Sequence, residues 1–81
     1  MSYNDCINLA KDTSTPPIIL ERLSENNYWH VRINVIENPN TPIEVIMKMI
    51  IKEEEIIKWA KYNPNPEVKK LWKAITQQTI E

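Results

Sequence analysis

Apolar residues along this chain fall in short bursts separated by proline and asparagine. Ile19, Leu20 and Leu23 recur at i, i+1 and i+4, and Val45, Ile46 and Met49 repeat them at a constant offset of twenty-six, with Ile50 added. Val68, Leu71, Trp72 and Ile75 follow at i, i+3, i+4 and i+7. Each burst predicts an amphipathic helix of about two to three turns with one apolar stripe. Shorter apolar sets lie between them: Val31, Val35 and Ile36, then Ile56, Ile57 and Ala60, with Ile7, Leu9 and Ala10 near the start. Val31 aligns with Ile56 and Val35 with Ala60 at an offset of twenty-five. Short helices should therefore alternate with the longer ones.

The punctuation repeats as well. Asn38-Pro39-Asn40-Thr41-Pro42 returns as Asn63-Pro64-Asn65-Pro66, and a weaker version, Asp12-Thr13-Ser14-Thr15-Pro16, stands upstream. A residue before proline is disfavoured in the helical region, so Asn38 and Asn63 each end a helix. Thr41 then predicts an N-cap, Pro42 the first helical position, and Glu44 the partner in a capping box. Thr15 with Pro16, and Asn65 with Pro66, predict the same kind of start. Asp5 and Asp12 are expected to cap the first element. Self-similarity at this spacing is the mark of stacked units. The predicted fold is all-α: a single domain over residues 1–81, built of five or six short helices as about three stacked pairs, a fragment of solenoid. Its units span approximately residues 1–14, 15–40 and 41–65, with a closing helix over 66–78.

The segment from His30 to Met49, with Val31-Arg32, Val35, Asn38-Pro39-Asn40-Thr41-Pro42 and then Val45, Ile46 and Met49, resembles the variant leucine-rich repeat. The resemblance runs from roughly Ile7 to Trp72 and is closest in this central unit. It implies alternating α- and 3₁₀-type helices stacked into a short right-handed superhelix. The later unit lacks the threonine and has Ile56-Ile57 where Val-Arg would stand, and the first has Asp12-Thr13 in place of Asn-Pro. Some members of the family carry an iron–sulfur module built from several cysteines. This chain has Cys6 alone, so that cofactor is not carried over. The family defines an architecture rather than an activity.

Composition narrows the function classes. The sequence contains no glycine, which argues against phosphate-cradling loops and dinucleotide fingerprints. One cysteine excludes an internal disulfide and suits a reducing, cytoplasmic setting. No signal peptide is read at the start, and the richest apolar stretch, Ile43 to Ile57, is too interrupted by charge to span a bilayer, so no membrane role is expected. The Ile, Asn and Lys bias fits an AT-rich bacterial or phage genome. His30, the only histidine, has no second ligand at metal spacing, and Cys6 has no basic neighbours to activate it. Glu53, Glu54 and Glu55 should start the second short element, where negative charge suits a helix N-terminus. Nothing in these patterns points to an enzyme or to a cofactor.

Two surfaces remain as candidates. Trp29 and Trp59 fall at positions aligned with polar residues, so both are expected to be exposed as anchors for a protein partner. Arg32 joins them, with an inter-unit ion pair to Glu37 or Glu44 as its structural role. A non-catalytic protein-binding module is therefore the first reading, with homodimerisation one way to cover the open end of a short stack. The alternative is nucleic acid. Net charge is −1, yet Lys58 to Lys73 holds five lysines and one glutamate, while residues 1–47 hold three basic and six acidic side chains. Lys58, Lys61, Lys69, Lys70 and Lys73, interleaved with Trp59, Tyr62 and Trp72, could meet phosphates and bases.

Overall fold

In the computed structural model, which describes residues 1–77, a reciprocal cap opens the first helix. Ser2 Oγ accepts from the Asp5 N–H at 3.1 Å, and the Asp5 carboxylate accepts from the Ser2 N–H at 3.4 Å. This launches α1, Tyr3–Lys11. The chain continues through α2 (Pro17–Leu23), α3 (Trp29–Glu37), α4 (Ile43–Lys52), a 3₁₀ turn (Glu54–Ile56), α5 (Ile57–Ala60) and α6 (Pro66–Thr76). The described residues are thus all helical, without strand. The glutamate run opens this element as expected, with Glu53 at the N-cap position, its side chain making no capping bond, and Glu54 and Glu55 in the first turn. At α6, Asn65 Oδ1 accepts from the Glu67 N–H at 2.9 Å and Pro66 occupies the first turn, also as expected. The helix ends at Thr76; Gln78, the predicted last residue of the closing helix, lies outside the described residues.

The threonines do something other than cap. Thr41 is 2% exposed, and its hydroxyl donates to the Val35 carbonyl at 2.7 Å rather than accepting from α4. Thr15 is likewise buried and donates to the Leu9 carbonyl at 2.7 Å. Pro42 and Pro16 stand at the N-cap positions, so α4 starts at Ile43 and α2 at Pro17, and no Thr41–Glu44 capping box forms. The reason is burial. A hydroxyl sealed from water takes the nearest unsatisfied acceptor, here a last-turn carbonyl of the preceding short helix.

The asparagines complete those helix ends. Asn38 Nδ2 donates to both the Ala10 and Asp12 carbonyls at 2.9 Å. Asn63 Nδ2 repeats this, donating to the Ile36 and Asn38 carbonyls at 2.9 and 3.0 Å. Each oxygen turns inward on its own loop: Asn38 Oδ1 accepts from the Asn40 N–H and Asn63 Oδ1 from the Asn65 N–H. Asp12 makes the same local turn with Ser14, and its carboxylate has no N–H with which to reach back. The Asn-Pro punctuation thus ties α1 to the loop after α3, and α3 to the loop after α5.

Side chains from every helix meet in one core: Cys6 and Ala10, Leu20 and Leu23, Val31, Val35 and Ile36, Val45, Ile46 and Met49, then Ile56, Ala60 and Val68. Most are the positions the periodicity predicts. Trp72, predicted as core, is half-buried against it, as is Leu71, and Ile75 of the same helix is half-buried without joining the core. Small residues at Ala10 and Ala60 let α1 and α5 approach α3 on either side.

Replacing Asn63 by alanine removes two buried hydrogen bonds and takes the cross-helix donor from the Ile36 carbonyl, while the Asn38 carbonyl keeps the Thr41 N–H at 3.1 Å. Chemical unfolding should show a loss of about 2–4 kcal/mol. Asp12 supplies a pH test. Hydrogen bonds from the Ser14 N–H and hydroxyl hold its carboxyl below the ordinary value. A depressed folded-state pKa stabilises above the unfolded value, and that contribution disappears as pH falls through the folded one. Asp12→Asn keeps the acceptor without titrating, so its unfolding midpoint should fall less steeply into the acid range than that of the parent.

Candidate functional site

α3 presents Trp29 and Arg32 one turn apart, and α5 brings Trp59 against them. The two indoles meet edge to face, ring centres 5.3 Å apart and planes at 88°. The Arg32 guanidinium lies 5.5 Å from the centre of the Trp29 ring, within range of a cation–π contact. The three residues nominated as one protein-binding set thus form one contiguous cluster. Both tryptophans are half-buried and packed on the core rather than exposed as expected. Each covers apolar surface with one side and leaves the other to solvent.

Arg32 is held by more than the ring. Its Nε and Nη2 donate to the two carboxylate oxygens of Glu53 at 3.0 and 3.2 Å, and its Nη1 donates to the Asn26 carbonyl at 2.7 Å. The structural role expected of Arg32 is present, with a different partner: Glu53 takes the place assigned to Glu37 or Glu44. Glu37 lies five residues along α3, about 140° around the helix from Arg32. Glu44 sits in the first turn of α4, whereas the C-terminal end of α4 is what reaches Arg32. Burial holds the Glu37 carboxyl above its ordinary value.

Asn26 is a neighbour of this cluster that the sequence did not single out. Its amide donates to Cys6 Sγ at 3.7 Å, its side-chain oxygen accepts from the Tyr28 N–H, and its carbonyl takes Arg32. Cys6 is buried as a small core residue and His30 is exposed. Beside Arg32, a concavity of 350 Å³ opens between Ser24, Asn26, Met49, Lys52 and Glu53. Tyr3 and Tyr28 form a second edge-to-face pair at 5.0 Å, so aromatic rings run from α1 across α3 to α5. A sequence signal for this existed: Tyr3 and Trp29 both begin a short helix, twenty-six residues apart.

The five lysines are all exposed. Lys58 and Lys61 lie at α5, and Lys69, Lys70 and Lys73 on α6. Lys69 Nζ donates to the Lys61 carbonyl at 3.2 Å. That carbonyl occupies the place of Ala10 and Ile36 in the preceding turns, so an ammonium stands where an asparagine amide would otherwise reach back. Lys61 Nζ hangs over the Tyr62 ring, 5.2 Å from its centre. Among the described residues, no group of three or more His, Cys, Asp or Glu side chains is placed to hold a metal, and no helix is long and apolar enough to cross a membrane.

No protein-family model, curated protein or solved structure matches the chain.

The Arg32–Glu53 pair should be measurable as a coupling. In a double-mutant cycle built from Arg32→Ala and Glu53→Ala, unfolding should give an interaction energy of about 0.5–1.5 kcal/mol, since both side chains remain partly solvated.

Proposed function

We propose that this protein is a non-catalytic helical-repeat module of the variant leucine-rich repeat kind, working in the cytoplasm, that binds a protein partner through Trp29, Trp59 and Arg32. The recurrence of the asparagine bonds at Asn38 and Asn63, and of the threonine bonds at Thr15 and Thr41, supports the repeat reading. In that reading, pairs of helices stack into a short right-handed solenoid.

The observation that carries the binding assignment is the gathering of both indoles and the guanidinium on one face. Tryptophan and arginine are the residue types that most often dominate binding energy, and they do so when packing holds them rigid. Here core contacts hold the indoles, while Glu53 and Asn26 hold Arg32, so little side-chain freedom is left to lose on binding. The adjoining concavity gives a partner's side chain somewhere to enter.

A nucleic-acid reading is favoured by five exposed lysines on two adjacent elements. It ranks second because the aromatics of that stretch are not free platforms for bases. Trp59 is turned onto Trp29, Trp72 packs on the core, and Tyr62 has Lys61 over its ring. The test is affinity capture from a bacterial lysate, with and without nuclease, using the parent, Trp59→Ala and the Lys70→Ala/Lys73→Ala pair. A protein retained after nuclease and lost with Trp59→Ala supports the first reading. Capture that collapses on nuclease and weakens with the lysine pair replaces it with the second.

A further inference from the structure

Glu37 stands where helix physics disfavours it. It is the last residue of α3, at the end where the macrodipole favours cations, and it is half-buried. Among the described residues, no ion pair or hydrogen bond offsets that burial. It also faces a cavity. Lys11, Thr13, Asn34, Glu37, Pro39 and Pro64 line a groove of 320 Å³, within the ~300–1,000 Å³ common for ligand sites. An unpaired, desolvated carboxylate in a cleft points to a bound cation.

The free polar atoms that α3 gives to this groove are all acceptors. Asn34 lies one turn before Glu37, on the same side of the helix. Its Nδ2 donates to the His30 carbonyl at 2.8 Å, which leaves Oδ1 without a donor. Asn38 is fully engaged, with Nδ2 on the Ala10 and Asp12 carbonyls and Oδ1 on the Asn40 N–H. Pro39 and Pro64 supply apolar wall and have no N–H to offer. Lys11 lines the groove as well, but burial alone acts on the Glu37 carboxyl, so the ammonium does not neutralise it.

We propose that this groove docks an arginine of a partner protein, its guanidinium donating to the Glu37 carboxylate and to Asn34 Oδ1. A planar fork of several donors matches a carboxylate with a neighbouring acceptor, and a compact ammonium matches it less fully. The arginine methylenes then lie along Pro39 and Pro64. The loops that carry both prolines are held in advance by the Asn38 and Asn63 bonds, so little ordering remains to be done on binding. Glu37 is about 140° around α3 from Arg32, which makes this a separate surface from the Trp29 face and independent of it.

Titration of the full chain with acetyl-Ala-Arg-Ala-amide, followed by amide NMR shifts, tests this. The arginine peptide should bind saturably and move the Thr13, Asn34 and Glu37 amides. Glu37→Gln should raise its dissociation constant about tenfold or more, through loss of a charge-assisted pair. The same variant should be no less stable than the parent at neutral pH, because folding holds this carboxyl above its ordinary value and so disfavours its charge. Peptides with lysine or citrulline in place of arginine should bind more weakly. Trp59→Ala should leave the titration unchanged. The proposal is overturned if no saturable shifts appear at these residues, or if binding survives Glu37→Gln. Equal affinity for the lysine or citrulline peptide overturns it too.

Discussion

A carboxamide that donates from one atom and accepts at another holds this structure together. The chain has no glycine, and no described residue adopts a positive φ, so no helix here ends in the left-handed turn that glycine usually supplies. Last-turn carbonyls must find other donors. Asn38 and Asn63 provide them between helices, each amide bridging two carbonyls at the end of an earlier helix while its oxygen orders its own loop. Thr15 and Thr41 take another carbonyl from the same direction. Among the described residues, no buried side-chain nitrogen or oxygen is left without a partner. The proline after each asparagine sets the extended backbone that aims the amide backward. Helix stop and cross-link are one device.

A second polar set connects the core to the surface. Asn26 reaches inward to Cys6 and outward to Arg32, and Arg32 spans to Glu53 beneath the Trp29 ring. The aromatic face is therefore positioned by hydrogen bonds anchored in α1, α3 and the α4–α5 connection. A small domain with limited core volume gains rigidity this way without more buried apolar area.

The two ends of the molecule differ in chemistry. At the start, Asp12 keeps the local turn of its asparagine counterparts and omits their reach. At the far end, Lys69 supplies a charged donor where the next asparagine would stand. Between the ends, the pattern runs in one direction only, from each loop back to the helix before it. The lysine stretch accordingly divides: Lys69 contributes to closure, while Lys58, Lys70 and Lys73 extend from the exposed faces of α5 and α6.

Helix order, the core stripes and the stops at Asn38 and Asn63 were legible in the sequence, because they rest on interactions within about four residues. Amphipathic spacing, the pre-proline restriction and the Asn65 cap are all local, so the pattern of residue types determines them. Partners farther away were not. Thr41 was legible as a threonine before proline, yet whether its hydroxyl caps α4 or bonds Val35 depends on neighbours that bury it. Arg32 was legible as an ion-pairing residue, but the choice of Glu53 over Glu37 or Glu44 depends on which end of α4 comes to rest beside α3. Trp29 and Trp59 aligned with polar positions and still became half-buried, since large rings fold down over whatever apolar surface lies within reach. The sequence determined the order of the helices, the stops at Asn38 and Asn63 and which side of each helix is apolar; the tertiary structure decided which distant groups meet, because those contacts exist only once the helices are packed.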